Sequence, residues 1–229
     1  MVPNAGDILR KHWDTWVSLA DFQKIANAGF NIVRVPVGCE ETPCSTLFVA
    51  GNADNPPDWA YQKFDSDPYI QGAAPYVDKA IEWARQTGLK VWIDLHGAPE
   101  SQNGYDNSGH LTKMPGWEKG DTVKQTLLVL KQISDKYATT AYEDVVVGIE
   151  LLNEPQPSLL PSLDILKQFY RDGFGEVRSV SDTPVVFHDA FQPSSAWNGL
   201  LTPSDNNAQY GTYRVISVRF SGGSRLNEW

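Results

Sequence analysis

The hydrophobic residues of this chain alternate between short apolar runs, typical of buried strands, and longer stretches with helical spacing. The apolar runs predict four strands, over Asn31–Gly38, Leu89–His96, Val145–Asn153 and Pro184–His188. A stretch with helical spacing precedes each of these runs. Four such units in succession indicate a parallel α/β sheet that is covered by helices.

The helix boundaries are predicted from capping residues. Ser18 and Asp21 have the spacing of a capping box, and Gly29 marks the end of the same helix. A second helix is predicted over Pro75–Gln86 and stops at Gly88. A third helix is predicted to begin at Asp121, and a fourth lies around residues 162–180. The residues predicted to face inward are Phe22, Ile25 and Ala26 in the first helix, Val77, Ile81 and Ala84 in the second, and Val123, Leu127, Leu130, Ile133 and Tyr137 in the third.

Three segments do not fit this alternation. Residues 39–72 lack periodicity, and so long a structureless connection is unusual in a compact domain. Residues 97–120 are polar and glycine-rich, which predicts a surface loop with a functional role. From about residue 209 the succession of strands and helices stops.

Composition narrows the class of protein. The chain has 229 residues, of which 41% are hydrophobic and 21% are charged, values typical of a soluble folded domain. The net charge of −9 and the lack of a Lys/Arg cluster argue against a nucleic-acid partner. No apolar run reaches the roughly 18 residues of a membrane span. The 8 Trp, 9 Tyr and 9 Phe fit either a large core or a site that stacks flat ligands.

Residues 1–20 contain no visible signal peptide, so the protein is either intracellular or this chain lacks its true start. The two cysteines, Cys39 and Cys44, are close enough for a short-loop disulfide but form no zinc pattern. The sequence has no N-x-[ST] sequon and no metal-binding, phosphate-binding or dinucleotide-binding motif. We therefore expect no metal and no cofactor.

Polar residues lie in or just after the predicted strands, toward their carboxyl ends, where parallel sheets and barrels build their sites. They are Arg34, Asp94, His96, Asn153, Glu154, His188 and Asp189. Structural roles are also open: an ion pair for Arg34, a near-core hydrogen bond for His96, loop N–H acceptors for the aspartates, and a cap or surface acid for Glu154. Asn-Glu-Pro after a buried strand is a more specific pattern than any of these residues alone.

Several stretches of the chain resemble family 5 glycoside hydrolases, and among them the fungal exo-β-1,3-glucanases. The similar stretches lie at 12–38, 67–99, 101–109 (SQNGYDNSG), 148–157 (GIELLNEPQP) and 187–193 (FHDAFQP). The resemblance implies a (β/α)8 TIM barrel and a retaining exo-glucosidase that removes terminal glucose from β-1,3-glucan. It also implies a monomer located outside the cell or in the cell wall.

The resemblance also assigns roles to individual residues. It makes Glu154 the catalytic acid/base and Asn153 the contact of the substrate hydroxyl beside the scissile bond. His96, Arg34 and Asn107 become substrate-binding residues. Tyr105 stands where the family tends to have a Phe that stacks on sugar. An acid near the glycosidic bond fits the chemistry, since the glycosidic oxygen leaves well only when it is protonated.

The sequence departs from the family pattern in three places. The family's nucleophile comes from a Gly-Glu-Trp segment on a later strand, and Glu228-Trp229 is rejected as its equivalent because residues 222–225 predict no buried strand. Residues 39–58 form an insertion, and residues 210–229 form a divergent tail. We therefore expect residues 1–229 to be one partial catalytic domain with about four of eight barrel units and no nucleophile.

An incomplete barrel would expose unpaired strand edges, so we expect poor stability of the isolated monomer. Three interpretations of function follow from the sequence. The chain is an exo-glucosidase of β-1,3-glucan, a glucan-binding protein that breaks no bond, or the inactive product of a misread gene.

We predict that residues 39–58 are translated from an intron and that residues 210–229 result from a frameshift or a misread splice junction. Sequencing the transcript across both junctions is expected to show messages that lack both segments. Transcripts that encode both segments without interruption would contradict this prediction.

Overall fold

A computed structural model of the chain describes residues 4–38 and 73–201. The insertion at 39–58 with its two cysteines, the tail at 210–229 and Glu228 lie outside these residues. Their assignments therefore remain predictions.

The described residues form five α-helices and four strands. In chain order these are α1 (Ala5–Thr15), α2 (Leu19–Asn27), β1 (Ile32–Gly38), α3 (Ala74–Thr87), β2 (Lys90–Gly97), α4 (Thr122–Tyr137), β3 (Val146–Glu150), α5 (Leu163–Arg178) and β4 (Val185–Val186). Short 3-10 turns lie at Asp106–Ser108, Pro157–Leu159 and Ser194–Trp197. None of the described helices combines the length and apolar character that a bilayer crossing requires.

All four predicted strands and all four predicted helices are present, and α1 is an additional helix. β3 and β4 are shorter than predicted, because the chain leaves the sheet after Glu150 and after Val186. Leu151, Leu152 and Phe187 remain buried beyond those points. The apolar runs therefore record burial correctly, but they overstate the length of the hydrogen-bonded strands.

The sheet has the strand order β1-β2-β3-β4, and every neighbouring pair is parallel. Consecutive parallel order is the order of strands in a (β/α)8 barrel. Pro36 pairs with Asp94, Asp94 with Glu150, and Glu150 with Val186. This register places the carboxyl groups of Asp94 and Glu150 side by side on the same face of the sheet.

The two faces of the sheet differ in character, as β2 shows. Val91, Ile93 and Leu95 are fully buried and belong to the hydrophobic core that includes inward residues of α3, α4 and α5. Trp92, Asp94 and His96 alternate with them and project from the opposite face. The helix-covered face is therefore apolar, and the other face carries the polar groups of the site.

The helix ends follow the predicted capping chemistry. Asp21 accepts hydrogen bonds from the N–H and the hydroxyl of Ser18, at 3.1 and 2.7 Å. α3 ends at Gly88, whose φ of 74° lies in the left-handed region that glycine adopts without strain. These ends fix where each helix returns the chain to the sheet.

Helix α5 approaches its neighbours closely at Gly173. A Cβ atom at this position would lie 3.0 Å from Leu130 Cδ1 and 3.2 Å from Leu151 Cδ2. Both leucines are fully buried, so they have little room to move. Gly175, two residues further along, has open space where its Cβ would lie.

We predict opposite effects for alanine at these two glycines. Gly175→Ala should raise the free energy of unfolding by about 0.5–1 kcal/mol, because alanine has the higher helix propensity. Gly173→Ala should lower it by about 1 kcal/mol, since overpacking costs about 1–3 kcal/mol and outweighs the propensity gain. Urea unfolding of both variants measures the difference, and equal gains at the two positions would contradict the close packing described for α5.

Candidate active site

Arg34 of β1 links the polar residues at the carboxyl ends of the first three strands. Its Nε donates to Glu150 Oε2 at 2.9 Å, and its terminal nitrogen NH2 lies 3.0 Å from Asp94 Oδ2. The same nitrogen donates to Asn153 Oδ1 at 2.9 Å. The guanidinium also lies over the ring of Trp92, 5.6 Å from its centroid. The structural ion pair considered for Arg34 from the sequence is therefore present.

His96 is held from both sides of its ring. Its Nδ1 lies 2.6 Å from Asp94 Oδ2, and a carboxylate oxygen at this distance accepts the Nδ1 proton. Its Nε2 faces Asn153 Nδ2 at 3.4 Å. Because Arg34 occupies Asn153 Oδ1, the amide of Asn153 has one orientation, with its Nδ2 toward His96.

Burial determines the electrostatics of this network. Asp94 is fully buried and Glu150 is 3% exposed. Burial, followed by the negative charge of Asp94, raises the pKa of Glu150 to about 7, although Arg34 opposes this shift. Burial also disfavours the charged form of Arg34, but Asp94 and Glu150 outweigh that effect and raise the pKa of the guanidinium.

Glu154 follows the network directly in the chain and is only partly buried. Its φ of 43° lies in the left-handed region, which costs a residue other than glycine about 1–3 kcal/mol. Its Oε2 accepts a hydrogen bond from Asn107 Nδ2 at 3.1 Å. A strained backbone and a donor from a separate loop together fix the position of this carboxyl group.

The loop after β2 carries the groups that surround Glu154. Tyr105 is 45% exposed, and its hydroxyl oxygen accepts from Gln156 Nε2 at 3.0 Å. Gln102 and Asn103 are both 2% exposed, although the loop is polar in sequence. The side-chain amides of Gln102 and Asn103 bond the carbonyl oxygens of Asn153 and Glu154, respectively.

His188 and Asp189 follow β4 and have local roles. Nδ1 of His188 accepts the N–H of Ala190 at 2.9 Å, and burial lowers the pKa of this histidine. Asp189 Oδ1 accepts the N–H of Phe191 at 3.0 Å, as the loop-acceptor interpretation predicted. These two side chains therefore bond the backbone of their own loop, and the carbonyl oxygen of His188 accepts the hydroxyl of Tyr170 on α5 at 2.7 Å.

Sequence reasoning missed Glu150, Gln102 and Asn103. Glu150 is a charged residue within an apolar run, and a buried charge requires a partner, so its position was a usable clue. The two amides carried no such clue, because polar residues in a glycine-rich loop are ordinarily exposed. Among residues 4–38 and 73–201 no group of three or more His, Cys, Asp or Glu is arranged to hold a metal ion.

The site and the fold together define a class of protein. The carboxyl group of Glu154, the side-chain amides of Asn153 and Asn107 and the exposed ring of Tyr105 lie near the carboxyl ends of parallel strands, which follow one another in barrel order. The carboxyl ends of the strands are where α/β barrels build their sites, so fold and site together place the chain in the α/β-barrel class.

Comparison with known proteins identifies the family within this class. Residues 9–213 match the model of the cellulase family, glycosyl hydrolase family 5. The chain belongs to glycosyl hydrolase family 5. It is 46% identical over 201 residues to a glucan 1,3-beta-glucosidase of Schwanniomyces occidentalis. The aligned region is 86% of this chain and 42% of that protein. A glucan 1,3-beta-glucosidase of Pichia angusta is 43% identical, covering 87% and 41%, so the chain spans less than half the length of these relatives.

Solved structures show the same fold. The rutinosidase of Aspergillus niger superposes with a TM-score of 0.69 at 21% identity, covering 88% of this chain and 55% of that one. Cel5A of Thermotoga maritima, in complex with cellobiose, superposes with a TM-score of 0.52 at 24% identity, covering 83% and 50%. The predicted fold class, a partial TIM barrel, is confirmed by the family and by the four-stranded parallel sheet.

We predict that Glu150→Gln gains stability relative to the parent chain as the pH rises. A folded pKa of about 7, against an ordinary value of 4.5, means that the folded state binds more protons between these values. As the pH rises from 4.5 to about 7, the contribution of Glu150 to the free energy of unfolding therefore falls, by roughly 3 kcal/mol in total. Glutamine keeps an acceptor for Arg34 but does not titrate.

Urea unfolding at pH 5 and pH 8 measures the difference between Glu150→Gln and the parent chain. The difference should be small at pH 5 and should favour the variant at pH 8. Glu143→Gln, at an exposed position, is the matched control. A difference for Glu150→Gln that is the same at both pH values would rule out a raised pKa.

Proposed function

We propose that this chain forms the acid/base half of the active site of a retaining exo-1,3-β-glucosidase. The single observation that carries the proposal is the position of Glu154 at the carboxyl ends of parallel strands, bonded to Asn107 and followed in sequence by Pro155. The similarity to glucan 1,3-beta-glucosidases over most of the chain supports this substrate class.

In this proposal Glu154 acts first as an acid and then as a base. It protonates the glycosidic oxygen as the bond to the leaving group breaks, and it later removes a proton from the water that attacks the sugar. The donor from Asn107 and the strained backbone hold the carboxyl group in the orientation for both transfers. Retention requires a second carboxyl group about 5–5.5 Å away.

We do not assign the second carboxyl group to Asp94 or Glu150. Both are buried, and their oxygens bond Arg34 and His96. A nucleophile must reach the anomeric carbon, whereas burial and the bonds of Asp94 Oδ2 and Glu150 Oε2 to Arg34 and His96 keep both acids in place. The two acids therefore support the binding residues in this proposal.

The binding residues present different chemistry to a sugar. Asn153, with its amide orientation fixed by Arg34, and His96 offer polar groups to hydroxyl groups of the sugar. Tyr105 offers an exposed ring on which a sugar can stack, and Asn107 borders the acid. We propose β-glucan as the partner, a location in the cell wall or outside the cell, and a monomeric state, as the resemblance to the fungal exo-β-1,3-glucanases implies.

A second candidate function is glucan binding without hydrolysis. The observation that favours it is that the binding groups are assembled in the described residues, whereas no described carboxyl group is assigned as the nucleophile. Binding of laminarin with no release of glucose would support this alternative.

The test measures hydrolysis of laminarin and of an aryl β-glucoside by the parent chain and by Glu154→Gln. We expect the substitution to lower kcat/KM for laminarin by roughly 10²–10⁴-fold. The loss should be smaller for the aryl glucoside, because an aryl leaving group needs less protonation. Glu143→Gln, which keeps Glu154, controls for the loss of one surface charge.

Hydrolysis that is unaffected by Glu154→Gln would overturn the role of this residue. Absence of hydrolysis in the parent chain, combined with binding of laminarin, would overturn the enzyme proposal in favour of the binding function.

A further inference from the structure

The side chain of Gln102 connects the ends of two strands. Its amide nitrogen donates to the carbonyl oxygens of His96 at 2.9 Å and Asn153 at 2.8 Å, and its amide oxygen accepts the N–H of Ala98 at 3.0 Å. Its own backbone carbonyl accepts the N–H of Gln156 at 3.2 Å. Both of its amide protons are used, in a residue that is only 2% exposed.

The next residue, Asn103, reaches the following carbonyl. Its Nδ2 lies 3.2 Å from the carbonyl oxygen of Glu154 and 3.3 Å from Asn107 Oδ1. Its Oδ1 accepts the N–H of Tyr105 at 2.9 Å, so the orientation of its amide is fixed. Because Asn107 Oδ1 faces Asn103, its Nδ2 is directed to Glu154 Oε2.

Two consecutive side chains therefore bond two consecutive carbonyls, those of Asn153 and Glu154. Strand β3 ends at Glu150, so the regular sheet ladder does not extend to this peptide. The N–H of Asn153 has one further backbone bond, to the carbonyl of Leu95 at 2.9 Å. Glu154 needs such support, because its left-handed backbone is unfavourable and would relax without it.

We propose that Gln102 and Asn103 form an amide clamp, defined by these two side chains, that positions Glu154 and Asn153 for the reaction. The clamp rests on the proposed function for its catalytic consequence. Neither residue touches the reacting atoms in this proposal. They act through the backbone of Asn153 and Glu154, and through the side chain of Asn107.

Amides suit this task better than charged groups would. A carboxylate near Glu154 would repel it, and a cationic side chain would bind it and compete with the transfer of its proton. Neutral donors hold the backbone without changing the charge around the acid. The clamp therefore fixes the position of Glu154 without adding a charge beside it.

The first test uses Gln102→Met, which has similar length and no donor or acceptor for these carbonyls. Gln132→Met makes the same chemical change on α4, at a partly buried position outside the site, and is the matched control. Amide hydrogen exchange of the full chain, resolved by residue, is the readout that requires no activity. We expect exchange of the Asn153 and Gln156 N–H groups to become roughly fivefold to tenfold faster, with α4 and α5 unchanged.

The N–H of Ala98 loses its acceptor directly in Gln102→Met, so its faster exchange only shows that the bond existed. The exchange rates of the Asn153 and Gln156 N–H groups therefore test whether the clamp holds this backbone. Unchanged exchange at both positions would overturn the clamp. A uniform increase that includes α4 and α5 would also overturn it, because the residue would then act on global stability alone.

The second variant is Asn103→Leu, which has a similar shape and removes the donor to Glu154 and Asn107 without placing a charge beside the acid. In both variants we expect kcat for laminarin to fall roughly tenfold to a hundredfold, since the acid is displaced. The change in KM should be smaller, because Arg34 still holds the side-chain amide of Asn153. Loss in KM alone would overturn the positioning role. If the parent chain does not hydrolyse laminarin, the proposed function fails, and the exchange experiment still decides whether the clamp exists.

Discussion

The charged contact between Arg34 and its two buried acids is the constraint on which the site depends. The parallel register sets Asp94 and Glu150 next to each other, on the face of the sheet that carries the polar groups. Two like charges at neighbouring positions in a buried environment oppose folding, and the guanidinium between them offsets this cost. Removing Arg34 would leave two buried carboxyl groups together and would free the side-chain amide of Asn153, so the arrangement at the ends of the first three strands depends on this one cation.

From Arg34 the order of the site extends through neutral groups. Arg34 fixes the amide of Asn153, the loop after β2 fixes the adjacent backbone, and Glu154 takes its strained conformation within that frame. Within the site, the acids Asp94 and Glu150 are buried beside Arg34, whereas neutral side-chain amides lie around the partly exposed Glu154. The strained residue is thus the last element of a hydrogen-bonded network that runs from Arg34 through Asn153 and the loop after β2, and the surrounding bonds are how a fold retains an unfavourable conformation at such a position.

Much of this architecture could be predicted from the sequence. Apolar runs and helical spacing gave the order and number of the predicted strands and helices, because burial on one face imposes those periods. The strand ends were less predictable, since residues such as Leu151 stay buried after leaving the sheet. The sequence predicted Arg34, His96, Asn153 and Glu154 at the carboxyl ends of strands, and the structure brings Arg34, Asn153 and His96 into contact there. Gln102 was not, because its partners are carbonyl groups, and a carbonyl is present at every residue of any sequence.

The hydrogen bond between Tyr105 and Gln156 has a consequence for the entropy of binding. An exposed aromatic side chain ordinarily samples several orientations, and a ligand that orders such a side chain loses about 0.5–1.5 kcal/mol of its binding free energy. Tyr105 is already anchored at its backbone by Asn103 and at its hydroxyl by Gln156. A ring held at both ends is an ordered surface before any ligand arrives. A sugar that stacks on it gives up its own freedom of motion but does not have to restrict that of the protein.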